Sequence, residues 1–338
     1  MFFSFVTNPL KTEISKKVQK PGYISYPREF EENEEITILS TGDVMLGRKV
    51  TIESLEKNDP IYPFRLVGGL LREADLVFIN LENPIIKDCP KSEVGFKFCA
   101  PSEMVAGLTY AGIDVASLAN NHSQNFGKEG LDETIKFLES KGILVTGVGK
   151  LVIKEVNGTT FGFLGYDKAQ QGNPKLEDGE IALIKNSDSL VDVLIVGMHW
   201  GVEYQDKALP GVRSFAHDLV KNGADVIIGH HPHWVQDVDC FKEVTGANLN
   251  TPDLPENAAH YALQAGGWYR FTPLGNSCPA GSKPVYYSLG NFIFDQMWSE
   301  ETRQGAVAKL TFKGGKLIEH ELLKIYMTNW AQPEFVDK

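Results

Sequence analysis

The chain reads as a single α/β domain, and three features of its 338 residues carry that reading. From Ile36 onward, short β-branched or apolar runs recur, each followed by a polar, glycine-containing turn and often by a helical pattern, as in layered α/β folds. Two hairpin signals show that antiparallel strands are present as well: "VIKEVNGTTFGFLG" carries Asn157-Gly158 at its turn, and "AVAKLTFKGGKLIEHELL" carries Gly314-Gly315 between alternating runs. The length exceeds a usual domain but lies within what large α/β folds reach, so one domain with an insertion is preferred to two.

Residues 1–34 are mixed and polar, end in the acidic run "EFEENEE", and read as an N-terminal extension without chemistry. The domain proper is expected over 35–328, with 329–338 as a C-terminal tail. Within it, "GKEGLDETIKFLESKG" is the clearest helix: Leu131, Ile135 and Leu138 recur at helical spacing and Gly142 supplies a stop. Val212 to Val220 fits a second helix, with Val212, Phe215, Ala216 and Leu219 on one face. Residues 241–283 lack a clear period and are rich in Gly, Pro, Asn and Ala, so they read as a loop-rich insertion near the site.

A net charge of −11 and no basic stripe argue against nucleic-acid backbones as partners. The apolar opening "MFFSFV" is too short for a signal-peptide core, its charges follow instead of preceding it, and no membrane span follows, so a cytoplasmic location is expected. Cys89, Cys99, Cys240 and Cys278 form no metal-binding spacing. A Cys89–Cys99 bridge is conceivable, but free thiols are the default expectation. Oligomeric state is left open.

The chemistry gathers where strand-like runs end. "ITILSTGDVMLGR" delivers Asp43, "ADLVFINLENPI" delivers Glu82, "IDVASLANNHSQNFG" delivers Asn121 and His122, "VDVLIVGMHWGVEY" delivers His199, and "GADVIIGHHPHW" delivers His230, His231 and His233 around Pro232. Each alone has an ordinary structural reading, as a turn aspartate, a cap or a packed histidine. Five such coincidences point instead to one shared site, because open α/β sheets gather their sites at the carboxyl ends of strands. Carboxylate, amide and imidazole together suit a divalent metal such as manganese, iron or zinc, and a carboxylate can bridge two ions. Two ions about 3.5 to 4 Å apart lower the pKa of a water and neutralise phosphate oxygens, which favours hydrolysis. His122 is then a candidate proton donor and Arg48 a candidate fork for an anionic group. His217, in the second helix, His260, in the insertion, and His320, on a hairpin strand, are read as structural.

In order, "GDVMLGR", "NLENPI", "LANNHSQNFGKEG", "MHWGVEY", "GADVIIGHHPH" and "YSLGNFIFD" closely resemble the CapA (poly-gamma-glutamate capsule biosynthesis) family, a branch of the calcineurin-like metallophosphoesterase superfamily, over residues 36–325. The resemblance implies a four-layer α/β/β/α sandwich of two mixed sheets flanked by helices, with two divalent metal ions at the strand ends. It makes Asp43 the first aspartate, puts Glu82 where a bridging aspartate is usual, and assigns Asn121, His199, His231 and His233 as ligands, His122 as general acid and His230 as a substrate contact. Two positions depart from the pattern. Met45 stands where such phosphoesterases carry a histidine, with Asn291 and Asp295 as possible replacements or substrate contacts, and Asn125 stands where an aspartate is frequent. The implied substrate is an anionic small molecule or polymer, attacked by metal-activated water at a phosphate ester. The alternatives are a polyglutamate-handling protein without catalysis, or a metal-dependent hydrolase of gamma-glutamyl amides. For an anionic polymer, Arg48, Lys49 and Arg213 would have to make a local positive cleft.

Overall fold

Alternation along the strands sets the layers of this computed structural model, which describes residues 34–243, 258–264, 268–273, 278 and 281–336. The chain starts one sheet with β1 (Glu35–Val44), β2 (Leu76–Leu81), β3 (Val115–Ser117) and β4 (Leu144–Thr146). It then builds a second from β5 (Val152–Val156), β6 (Thr159–Ala169), β7 (Val193–Gly201), β8 (Val226–His230), β9 (Val238–Glu243), β10 (Ala258–Gln264), β11 (Trp268–Pro273) and β12 (Lys283–Tyr286). It returns to the first with β13 (Asn291–Ile293), β14 (Gln304–Lys313), β15 (Lys316–Asn329) and β16 (Gln332–Phe335). Both sheets mix parallel and antiparallel pairs.

In β2, Leu76 and Phe78 face the second sheet whereas Val77 and Ile79 face outward, as a two-residue period requires. β7 does the same, with Val193 and Ile195 inward and Leu194, Val196 and Met198 outward. The inward residues of both sheets form one core, in which Phe78 stacks on Phe163 with ring centroids 5.5 Å apart. Outward residues are covered by helices. On the first sheet these come from α1 (Arg48–Glu56), α2 (Gly68–Leu71), α3 (Val105–Tyr110) and α4 (Gly127–Ser140), which supply Val50, Leu71, Leu108 and Leu138. On the second sheet α5 (Asp178–Asp188) and α6 (Pro210–Lys221) supply Ile184, Val212, Phe215 and Leu219. A short α7 (Glu300–Arg303) precedes β14. The four-layer sandwich implied by the resemblance is the observed architecture. Both sequence-predicted helices and both hairpins form, the hairpins turning at Asn157-Gly158 and Gly314-Gly315.

Register positions the site. β1 lies parallel to β2 and β13, so Asp43 stands beside Asn80 on one side and Asn291 on the other. On the opposite sheet, parallel β7 and β8 place His199 beside His230. Gly42 permits the close approach of β1 to the segment before β13, since a Cβ there would lie 2.1 Å from the Gly290 carbonyl oxygen.

Three expectations are corrected. The segment 329–338 is not a loose tail: β16 pairs antiparallel with β15, placing Met327 opposite Pro333. The described parts of 241–283 are not simply loop near the site, because β10 pairs with β11 and β11 with β9, extending the second sheet to an edge three and four strands away from β8. Pairing between strands there overrides the weak period of the sequence. The cysteines are not thiols, since Cys89 bonds Cys99 and Cys240 bonds Cys278. The extension expected over 1–34 lies, up to residue 33, outside the described residues.

Gly229 tests the packing of the second sheet. A Cβ there would meet the Tyr287 carbonyl oxygen at 2.1 Å and Trp200 Nε1 at 2.6 Å, where Trp200 donates to that same oxygen. Gly229→Ala is expected to lower unfolding stability by about 1–3 kcal/mol, read as a shifted midpoint in denaturant with an unchanged slope.

Candidate metal centre

Asp43 and Glu82 are both fully buried at the ends of β1 and β2, an arrangement that needs compensation. Asn80 supplies part of it. Its amide nitrogen donates to Asp43 Oδ1 at 2.9 Å and to Glu82 Oε2 at 3.3 Å, and lies 3.4 Å from His199 Nδ1. Its carbonyl oxygen accepts from Asn120 Nδ2 at 3.0 Å, and Asn120 also donates to the Leu81 carbonyl at 2.9 Å. Asn120 Oδ1 in turn receives the His122 amide and the Ser123 hydroxyl, fixing the turn that carries Asn121 and His122.

The second sheet brings the imidazoles. His199 Nε2 lies 2.9 Å from Asn121 Oδ1 and 3.9 Å from Glu82 Oε1. His233 Nδ1 lies 3.1 Å from Asp43 Oδ2 and 3.0 Å from Asn291 Oδ1, so that nitrogen carries the proton and Nε2, 3.8 Å from Glu82 Oε1, is left as a ligand atom. The His231 amide points at Asp43 Oδ2 at 3.4 Å, and His231 Nε2 lies 3.1 Å from the Gln170 amide nitrogen. Asp43, Glu82 and His199 each offer a ligand atom within 4.8 Å of the others.

Backbone strain concentrates here. His231 (φ 96°) and His233 (φ 60°) flank Pro232 in the left-handed region, joined by Arg48 at the start of α1 and by Gln170 and Tyr204 in turns. Such conformations cost about 1–3 kcal/mol each and persist where surrounding contacts impose them.

The charges are set against each other. Burial pushes the Glu82 carboxyl well above its ordinary range and the Asp43 charge pushes it further. Burial would raise Asp43 too, but His230, His233 and His199 hold it well below the usual carboxylate range. Burial, with the neighbouring imidazoles, lowers His199 far below its ordinary value and His231 to about 4. Neutral imidazole is the ligand form. Glu82 Oε1, His231 Nδ1 and both ring nitrogens of His230 are buried without a hydrogen-bond partner. The orphaned atoms of Glu82 and His231, a carboxylate and an imidazole of that cluster, fit a divalent metal.

The structure brings Asp43, Glu82, Asn121, His199, His231 and His233 together, with His122 at the rim. His122 Nδ1 lies 3.1 Å from Asn125 Oδ1, its ring stacks on Phe98 at 4.0 Å, and burial lowers its pKa. Other expected roles differ. His230 is 2% exposed and sits beneath Asp43, Nδ1 to Oδ1 3.5 Å, so it faces the inter-sheet core instead of a substrate. Asn291 orients His233 and donates to Gln296 and the Thr302 carbonyl, while Asp295 pairs with Arg48 and receives the Lys49 amide. Arg48, placed as an anion fork, is therefore held by Asp295 and by the Gly95 carbonyl at 2.8 Å. Arg213 is likewise committed to Asp237 and Asp239, and Lys49 Nζ lies 4.0 Å from Glu53, so none of the three stands as a free cation. The Met45 sulfur accepts the Gly47 amide at 3.0 Å.

Sequence reasoning missed Asn80, Asn120 and Phe98. The signal for Asn80 was its parity: Leu76, Phe78, Asn80 and Glu82 alternate onto one face, and a polar pair ending an apolar series points into the site.

Fold and site together define a two-sheet α/β protein with a buried carboxylate–imidazole centre at its strand ends. The family model described as bacterial capsule synthesis protein PGA_cap matches residues 37–296, and the chain belongs to that family. It is 29% identical over 309 residues to the capsule biosynthesis protein CapA of Bacillus anthracis, covering 84% of this chain and 65% of that protein. It is 26% identical over 294 residues to the PGA biosynthesis protein CapA of Bacillus subtilis (strain 168), covering 80% and 66%. The chain thus spans about two thirds of the length of these relatives. Among solved structures it is similar to a novel phosphatase from Mycoplasma pneumoniae, with a TM-score of 0.48 and 15% identity over 87% of this chain and 94% of that one. A hypothetical protein from Thermus thermophilus gives a TM-score of 0.46 and 14% identity over 86% and 99%.

If Asn80 orients both carboxylates, Asn80→Ala should leave the circular dichroism spectrum unchanged and weaken manganese or zinc binding by roughly 10- to 100-fold in chelator competition.

Proposed function

We propose that this chain is a metal-dependent hydrolase of the metallophosphoesterase type, acting on a phosphate ester of an anionic small molecule or polymer within poly-gamma-glutamate capsule biosynthesis. The observation that carries this reading is the convergence of Asp43, Glu82 and His199 within 4.8 Å, buried and with orphaned ligand atoms beside them. Asp43, Glu82 and His233 would hold one divalent ion, and Glu82, Asn121, His199 and His231 a second, with manganese, iron or zinc as the metals. Bound there, such ions supply a water of lowered pKa and neutralise charge on phosphate oxygens.

The chain's own residues do the rest. Asn80 keeps the carboxylates aimed, and Asp43 with Asn291 fixes the His233 ring so that Nε2 faces Glu82. Asn125 holds His122 by Nδ1, leaving the other side of the ring to pass a proton at the leaving oxygen. Because Arg48 and Arg213 are bound to carboxylates, attraction for an anionic substrate rests on the metal centre and not on free side chains.

A non-catalytic polyglutamate-handling role is favoured by one feature, Met45 in place of a histidine with its sulfur engaged by Gly47. The same centre also suits attack on a gamma-glutamyl amide. The two disulfides support folding in an oxidising compartment over the cytoplasmic location expected from the N-terminus, and no helix among the described residues is long and apolar enough to cross a membrane.

Asp43→Ala and His233→Ala are expected to lose metal and turnover of an aryl phosphate together. His122→Ala should keep its metal and lose about 10²- to 10⁴-fold in kcat. Metal analysis by mass spectrometry alongside the assay checks this, and equal metal loss in all three variants would remove the proton-transfer role. Full metal loading of the wild type with no phosphatase or gamma-glutamyl hydrolase turnover would favour the polymer-handling role.

A further inference from the structure

The loop between β2 and α3 is held at its base, where Pro84, Ile85 and Ile86 pair with Ala100, and has few anchors beyond it. Residues 87–97 form no helix or strand and are largely exposed, with Val94 at 79% and Phe96 at 80%, while Phe98 and Cys99 are buried. An exposed segment without apolar anchors of its own keeps little order unless something closes it. Here the backbone bonds to Ala100 close its base, and the Cys89–Cys99 bridge cross-links it just beyond them.

What the loop holds is the rim of the metal centre. The Phe98 ring stacks on His122, centroids 4.0 Å apart and planes 25° from parallel. The Phe98 amide donates to Asn125 Oδ1 at 2.6 Å, the same oxygen that lies 3.1 Å from His122 Nδ1. On the other side of the loop, Arg48 lies 4.4 Å from the Phe98 ring centroid and donates to the Gly95 carbonyl. One direct contact on the His122 imidazole and a second through Asn125 thus come from a single buried residue of this loop, the immediate neighbour of Cys99.

We propose that Phe98 is a positioning residue for His122, and that the Cys89–Cys99 bridge holds Phe98 in place. The bridge removes loop conformations in which Phe98 leaves the imidazole, so the ring and its Asn125 partner are preset before substrate arrives. The assignment rests on the proposed role of His122 for its catalytic consequence, while the positioning itself can be read without turnover.

The experiment uses the full chain, metal-loaded, with Phe98→Ala, Phe98→Tyr, and the paired change Cys89→Ser with Cys99→Ser. The pair Cys240→Ser with Cys278→Ser is the control, since that bridge lies at β9 on the second sheet. The His122 ring resonances, assigned by their loss in His122→Ala, are followed by NMR, together with metal content and steady-state kinetics. A stacked Phe98 should displace the His122 ring protons upfield. The displacement is expected to vanish in Phe98→Ala, persist in Phe98→Tyr and in the control pair, and collapse or broaden in the Cys89/Cys99 pair. In the Phe98→Ala and Cys89/Cys99 variants kcat should fall about 10- to 100-fold, with metal content unchanged and KM within about twofold. Those losses should disappear in a His122→Ala background. An unmoved His122 resonance in either Phe98→Ala or the folded Cys89/Cys99 pair overturns the proposal. Absence of turnover in the wild type removes the hydrolase reading and leaves the NMR result to decide the positioning.

Discussion

The arrangement depends on two carboxylates brought side by side into the interior. Asp43 and Glu82 end adjacent parallel strands, both fully buried, and a pair of buried like charges is tolerated only where donors and cations converge on it. Asn80 lies between them in sequence and space, giving each an amide hydrogen, and Asn120 holds Asn80 from behind. The opposed shifts of the two groups follow from their neighbours. Imidazoles crowd Asp43 and keep it ionised, while Glu82, with an oxygen left unpartnered, is driven toward neutrality until a cation arrives. A cation beside Glu82 would offset the cost of burying that carboxylate.

Much of this is written in periodicity. The alternation of β2 and β7 assigns one face to the neighbouring sheet and one to helices, and the α4 and α6 helices follow from apolar spacing alone. The ligand types are legible too, because each appears where an apolar run stops. What the sequence did not carry is register. Nothing local says that Asn291 stands beside Asp43, or that His230 lies beneath it while His231 and His233 turn toward the centre. Three histidines in four positions look alike in a string, and positive φ at two of them separates them in space. The strands β10, β11 and β16 were missed for the same reason, since pairing with neighbouring strands, not their own period, makes them strands.

Cations illustrate the difference between composition and structure. Arg48 and Arg213 stand in segments that suggest an anion-binding cleft, yet each is spent on carboxylates. Arg213 ties Asp237 and Asp239 under the Tyr287 ring, and Arg48 ties Asp295 beside Phe98. A guanidinium already forked onto a carboxylate gives up that pairing before it can take a phosphate, which makes it a poor steering group and a good brace. Arg48 braces the loop after β1 against the segment after β13, and Arg213 braces α6 against β9.

The consequence bears on specificity. With a chain of net charge −11 and its site arginines engaged, long-range attraction does not gather an anionic polymer over this surface. On the proposed function, recognition would be short-ranged, with a metal centre drawing a single anionic group and the surrounding walls contacting the body attached to it. Those walls are aromatic on two sides, Phe98 over His122 and Tyr204 beside His233, with Trp298 packed edge-on to Tyr204 at 5.0 Å and 59% exposed. Such a mouth discriminates by shape and by the stacking of ring faces more than by charge count.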